Sequence, residues 1–237
     1  MERLIHYCRD HLNINLTKYQ IEAFNLYIEE LIQWNQKINL TSIVNPAEME
    51  VKHFIDSLSC LLVMDISEAA TIIDVGTGAG FPGIPLKIVN PAMKLTLVES
   101  VGKKAEFCKH IVTKLDLKQT TILSTRIETI GRDQNHRETY DYALARAVAN
   151  LPILVEYLLP LVKIGGYAIA QKGKNIKEEL TAARNAIGIL GGEYDRTISF
   201  QLPYLNEYRN LVVLRKVLPT LIKFPRRPGI PSKNPLI

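Results

Sequence analysis

Thr71–Leu86, TIIDVGTGAGFPGIPL, reads as a strand, a glycine turn and the start of a helix. Thr71, Ile72 and Ile73 are β-branched, which suits a buried strand. Asp74 closes that strand, and Gly76, Gly78 and Gly80 alternate through the turn. Glycine is needed where the backbone takes a positive φ or comes close to a ligand. A helix that follows such a turn points unpaired N–H groups and a partial positive charge at the crevice. Pro82 and Pro85 fit a first turn, where their missing N–H groups cost no intrahelical bond. The stretch is a nucleotide-type binding loop.

Two fingerprints overlap on these letters. Gly78-Ala79-Gly80-Phe81-Pro82-Gly83 spells G-x-G-x-x-G, the dinucleotide pattern, and Glu99 follows about twenty residues on. Asp74 with Gly76, Gly78 and Gly80 spells D-x-G-x-G-x-G instead. That pattern resembles the first motif of class I S-adenosylmethionine (AdoMet) methyltransferases. A dinucleotide brings a pyrophosphate, which a carboxylate at the strand end would repel. AdoMet carries a sulfonium and an ammonium, which favour a nearby acid. Asp74 thus favours AdoMet, with an NAD(P)-dependent oxidoreductase as the alternative.

The chain has 237 residues, enough for one large α/β domain with an appendage. Hydrophobic content of 47% and charged content of 22% are those of an ordinary soluble protein. The start, MERLIHYCRDHL, is charged throughout and lacks the apolar region of a signal peptide. Asp65 and Glu156 interrupt the two most apolar stretches, so no membrane span is expected. Cys8, Cys60 and Cys108 are odd in number, far apart and without a C-x-x-C pair. They argue against disulfides or a metal site and fit the reducing cytoplasm. Cys108 falls in the apolar stripe of a helix and reads as core. Formal charge is −5 over residues 1–70, +4 over 71–214 and +6 over 215–237. Such a gradient suits a polyanionic partner approached from the body and tail, and equally a solubilising tail.

Thr17-Lys18-Tyr19-Gln20 has capping-box form, so a helix is expected from there to about Trp34. WNQKINLTSI reads as a loop, and Asn45-Pro46 as the cap and first turn of a second helix. In it Val51, Ile55, Leu58 and Leu62 make an apolar stripe, while His53 and Asp56 are neighbours on another face. Residues 1–66 thus read as a helical cap. Residues 67–216 alternate strands and helices, the pattern of a doubly wound, mostly parallel α/β sheet. Strands are expected at Leu95–Val98, Thr121–Leu123, Tyr140–Ala145 and Tyr167–Ala170. Helices are expected near Lys103–Leu115, Leu151–Lys163 and Ile176–Ile189. Arg196–Leu202 and Leu211–Leu214 read as an antiparallel edge pair. The basic, proline-rich tail, 217–237, cannot be a regular helix or central strand. It is expected extended, either packed along the body or free.

Ligands of open α/β sheets bind outside the carboxyl ends of the strands. That rule selects Gly76, Thr77, Gly78, Gly80 and Phe81 in the loop, Glu99 and Ser100 after the second strand, and Arg126, Ile127 and Glu128 after the third. Arg146 ends the fourth strand, and Lys172 ends the fifth. Glu99 is placed to accept bonds from both ribose hydroxyls of an adenosine. Phe81 is read as an exposed-loop aromatic that packs on an adenine or a methionine chain, or else as core.

From Trp34 onward one resemblance is close. WNQKINLTSI, VKHFIDSLS, IIDVGTGAGFPGIPLKI, ARAVA around Arg146, and QKG are similar to the bacterial ribosomal RNA small subunit methyltransferase G family, also called glucose-inhibited division protein B. The resemblance spans roughly 85–90% of the chain, and DVGTGAGFPGIPL is far more specific than a bare glycine fingerprint. The tail FPRRPGIPSKNPL resembles a C-terminal extension that only some members carry. Ala145 and Gln171 stand where other members often differ. The resemblance implies an AdoMet-dependent enzyme, with Gly76, Phe81, Ile127, Glu128 and Arg146 lining the AdoMet pocket. It also implies 7-methylguanosine in 16S ribosomal RNA as the product, with that RNA or the small subunit as partner of a cytoplasmic monomer.

The implied chemistry agrees with the residues. Guanine N7 carries a free lone pair, so positioning and electrostatics suffice without a strong base. No Asp-Pro-Pro-Tyr or Asn-Pro-Pro-Tyr motif of amino-directed methyltransferases follows the fourth strand. Arg126, Arg146 and Lys172 are the candidates to hold the guanine carbonyl oxygen or a flanking phosphate. His53 and Asp56 either belong to an RNA-facing mouth or form a solvated helix face or a structural bond to the sheet; the latter is preferred. A non-catalytic, rRNA-binding assembly factor remains a further alternative.

Overall fold

The β-branched run at 71–73 becomes the central strand of a seven-stranded sheet in a computed structural model that describes residues 1–65 and 69–236. The strands are β1 (Thr71–Val75), β2 (Lys94–Val98), β3 (Thr120–Leu123), β4 (Tyr140–Arg146), β5 (Val162–Lys172), β6 (Gly192–Gln201) and β7 (Tyr208–Lys216). Their order is β3-β2-β1-β4-β5-β7-β6. β1 through β5 pair in parallel, and β7 enters antiparallel between β5 and β6. This is the doubly wound sheet with an antiparallel edge that the sequence predicts. β1 pairs with β2 on one side and β4 on the other. The chain reverses its winding there, which opens a crevice at the carboxyl end of β1.

Alternation along the strands sends successive side chains to opposite faces. Ile72, Leu144 and Ile169 join one apolar cluster, shared with the N-terminal helices. Ile73, Val75, Ala143, Ala145 and Ala168 join the other. The N-terminal helices are α1 (Glu2–Leu12), α2 (Lys18–Asn35), α3 (Pro46–Met49) and α4 (Asp56–Leu58). Those between the strands are α5 (Gly83–Val89), α6 (Gly102–Lys114), α7 (Ile127–Ile130), α8 (Leu151–Leu158) and α9 (Lys177–Ile189). The Thr17–Gln20 capping box forms in full, and Asn45 caps α3 with its side chain.

Several elements depart from the sequence reading. α1 was not foreseen. The expected second helix is composite, with a π turn at Glu50–Ile55 and a 3-10 turn at Ser59–Leu62 flanking α4. It is buried on its polar side as well, because Glu50 accepts from Leu4 N and its serine hydroxyls bond to carbonyls one turn back. α8 stops at Leu158, before Pro160, and β5 begins at Val162. Gly165 and Gly166 lie inside that strand. A Cβ on Gly166 would sit 2.6 Å from the Asp141 carbonyl oxygen, so the glycine permits close pairing beside the irregularity at Tyr140/Tyr142.

The tail is packed, with Phe224 buried in the second cluster. It also contains one helical turn, α10 (Ile230–Lys233), whose early Pro231 needs no intrahelical partner. The boundary expected at residues 66 and 67 lies outside the described residues. Among the described residues, no helix is long and apolar enough to cross a membrane.

Candidate active site

Asp74 organises the loop after β1. Its Oδ2 accepts from Thr77 Oγ1 at 2.6 Å and from Gly83 N at 2.8 Å. The carboxylate therefore occupies the N-terminus of α5, where a ligand anion would otherwise sit. It is fully buried, and burial pushes its pKa up to about 6 against the lowering effect of those two bonds. Gly76, Gly78 and Gly80 all have positive φ, as the turn requires. A Cβ on Gly80 would meet Ile84 Cδ1 at 2.4 Å and the Tyr27 hydroxyl at 2.6 Å, whereas one on Gly78 would meet nothing within 4 Å.

The loop amides are largely spent on the protein. Gly76 N and Thr77 N donate to the Val98 carbonyl, and Gly80 N and Phe81 N to that of Thr77. Gly78 N donates to Glu99 Oε2. This arrangement does not fit a pyrophosphate, which needs free amides and no buried carboxylate. It fits a nucleoside with a cationic substituent. Glu99 Oε1 accepts from Val101 N and Oε2 from Gly78 N, leaving each oxygen a further lone pair for a ribose hydroxyl. One cavity over the ends of β1 to β3 is lined by Gly76, Ser100, Arg126, Ile127, Glu128 and Tyr157, among others.

A second cavity, of about 790 Å³, lies over the ends of β4 and β5. It is lined by Arg146 and Lys172 with His53, Asp56, Lys174 and Arg209. Arg146 Nη1 donates to the Lys52 carbonyl at 3.0 Å and to Asp56 Oδ2 at 3.2 Å. Arg209 Nε reaches the same Oδ2 at 3.3 Å. Lys172 Nζ donates to Ala149 O and pairs with Glu179 at 2.7 Å. The structure thus brings Arg146 and Lys172 together but puts Arg126 in the other cavity.

Phe81 is 5% exposed rather than an exposed-loop aromatic. It stacks on His53 with centroids 4.5 Å apart, and the Arg146 guanidinium lies 5.0 Å over its ring. His53 and Asp56 are buried, which overturns the solvated-face reading; Asp56 bonds to Arg146 of the sheet, and both residues line the larger cavity. Burial first, and then the Arg146 charge, lower the His53 pKa to about 3, so the ring is neutral. Cys108 is core, its thiol pushed far up by burial.

A family model described as rRNA small subunit methyltransferase G matches residues 20–211. The chain belongs to that family. The ribosomal RNA small subunit methyltransferase G of Alkaliphilus metalliredigens is 47% identical over 225 residues, covering 95% of this chain and 94% of that one. The protein of the same name from Roseiflexus castenholzii is 49% identical over 224 residues, covering 94% and 95%. A SAM-dependent O-methyltransferase structure from Thermotoga maritima superposes with a TM-score of 0.53 at 18% identity, covering 81% of this chain and 72% of that one. The fold is that of class I methyltransferases. Membership of the methyltransferase G family removes the oxidoreductase alternative, in agreement with the spent loop amides.

Sequence reasoning missed several groups around these cavities. Tyr27, from α2, donates to the Ala79 carbonyl at 2.5 Å and braces the loop from below. Val148 crowds Gly76, whose Cβ would meet it at 2.7 Å. Arg209 arrives from β7, and no local signal marks it, because only the return of β7 beside β5 brings it to Asp56.

Proposed function

We propose that this member of the family transfers the methyl group of AdoMet to N7 of a guanosine in 16S ribosomal RNA. The observation that supports it best is the internally satisfied glycine loop over buried Asp74, beside a cavity edged by cations. When bound, AdoMet supplies an electrophilic methyl group on sulfur. Glu99 takes the ribose hydroxyls with its remaining lone pairs. Gly76, Ser100, Ile127 and Glu128 line the cavity for AdoMet, Thr77, Gly78 and Gly80 shape the adjoining loop, and Asp74 holds that loop in shape. Phe81, packed on His53 and under the Arg146 guanidinium, ties the glycine loop to the N-terminal helices.

N7 of neutral guanine carries no proton, so the reading needs no general base. Arg146 and Lys172 orient the RNA and offset charge at its carbonyl oxygen or phosphate. Arg126, exposed on the β3 side, is assigned to the edge of the cofactor cavity. The target base must leave its stack to enter, at a cost of a few kcal/mol. Residues 67–216 carry the transfer, with 1–66 as the cap that floors the acceptor cavity. The partner is 16S rRNA or the small subunit, met in the cytoplasm by a monomer.

Purified protein, labelled AdoMet and unmodified 30S particles test the reading. Label in 7-methylguanosine is expected, and its absence overturns the assignment. The assembly-factor reading is tested in cells, where it requires that Arg146→Ala leave rRNA modification unchanged.

A further inference from the structure

Ser232, in the C-terminal tail, lines the same cavity as Gly76, Ser100 and Glu128. We propose that the tail is the outer wall of the nucleoside end of the AdoMet site, with Ser232 and Tyr157 facing the adenine. The inference rests on the AdoMet reading and goes beyond the family match, which ends at residue 211.

The direction of the ligand follows from the two cavities. On the AdoMet reading the methyl group faces the larger one, beside Arg146, where the acceptor base would enter. Glu99, at the end of β2, takes the ribose, so the adenine lies farther on, over the end of β3. That end of the smaller cavity is bounded by Ile127, Tyr157 and Ser232. Apolar and aromatic surfaces with a few polar groups are what a purine needs. Ser232 Oγ donates to the Gly229 carbonyl at 3.1 Å and bonds to the Tyr157 hydroxyl, which leaves one lone pair to accept from an exocyclic amine.

The tail is held as a built element. Gly229 N donates to Glu128 Oε1 at 2.9 Å. Arg226 grips both oxygens of fully buried Glu156. Arg137 donates to the carbonyls of Thr220, Leu221 and Phe224. Pro225 packs so closely on Gly131 that a Cβ there would lie 2.7 Å from its Cγ. The charge of Arg226 is consumed inside the protein, whereas Lys223, Arg227 and Lys233 stay exposed.

Calorimetric titration of the full chain with S-adenosylhomocysteine, and with its 6-oxo analogue S-inosylhomocysteine, tests this. The wild type is expected to prefer the amine-bearing ligand. Ser232→Ala narrows that preference by about three- to tenfold, the worth of one neutral hydrogen bond. Ser232→Phe, which fills the wall, weakens both ligands about tenfold or more while 16S rRNA affinity is retained. An unchanged preference in Ser232→Ala, or wild-type titration of Ser232→Phe, overturns the wall alone. A wild-type protein that binds neither ligand overturns the AdoMet reading as well. The ligand preference is a ratio within one variant, so a small loss of folding stability does not move it.

Discussion

Arg146, at the end of β4, and Asp56, at the start of α4, are joined by a 3.2 Å ion pair that ties the N-terminal helices to the sheet. The pair borders the larger cavity, and the same guanidinium covers Phe81 at the edge of the glycine loop. Arg146→Ala is expected to lower methyl transfer by about a hundredfold, since the side chain that packs over Phe81 and pairs with Asp56 is lost from the cavity. It also leaves a buried carboxylate with Arg209 alone, at a cost of about 3 kcal/mol or less. Arg146→Lys keeps the charge and loses the fork, so it should restore stability more than activity. Single-turnover transfer and urea unfolding measure the two effects.

The loop glycines should separate folding from binding. Gly80→Ala forces a Cβ into Ile84 and Tyr27 at φ +96°. It is expected to destabilise by roughly 2–5 kcal/mol, the sum of left-handed strain and overpacking. Gly78→Ala meets no atom within 4 Å, so only the strain of about 1–2 kcal/mol applies. Its methyl group points into open space, and S-adenosylhomocysteine affinity should fall there although the fold survives. Calorimetry of both variants checks the contrast.

His53 makes stability acid-sensitive. Its pKa falls from 6.5 to about 3 on folding, so between those values the unfolded chain binds the extra proton. The contribution is intact above pH 6.5 and is lost as pH falls toward 3, by up to about 1.4 kcal/mol per pH unit. His53→Gln removes that dependence. Between pH 7 and pH 5 the variant should lose about 2 kcal/mol less than the wild type, whatever its stacking loss at both. Urea midpoints at the two pH values give the difference.

Arg226 and Glu156 test how firmly the tail belongs to the body. Arg226→Ala strands a carboxylate that is 0% exposed, with an expected cost of about 3–5 kcal/mol. Replacing both partners, as Arg226→Met with Glu156→Leu, should recover most of that loss, because no buried charge remains. A free arm would show neither effect in urea unfolding.

Much of the fold was legible because local rules decided it. β-branched strands, the Thr17 capping box and the alternating glycines need only neighbours within a few residues. Asp74 could be weighed against a pyrophosphate from position alone. The expected end of α8 was too late because its apolar run continues past Pro160 into β5, and periodicity cannot divide a buried helix from the buried strand that follows. The polar face at His53 and Asp56 reads, from sequence, as an RNA-facing mouth, a solvated face or a structural bond. Nothing nearby in the chain announces that Arg146 and Arg209, at positions far along it, converge there to bury it.

What the sequence determined by itself was the TIIDVGTGAGFPGIPL loop, its family and the class of its ligand. Strand, turn and helix start are set by local backbone preferences and by the charge of one aspartate. The tertiary structure alone decided that Asp74 is a brace for the loop, that Phe81 is buried against His53, and that Arg126 stands apart from Arg146 and Lys172. It also decided that the tail packs on the body and brings Ser232 to the cavity over the ends of β1 to β3. Those outcomes depend on which strand ends and termini the sheet order brings together, and burial then fixes how each charge is used.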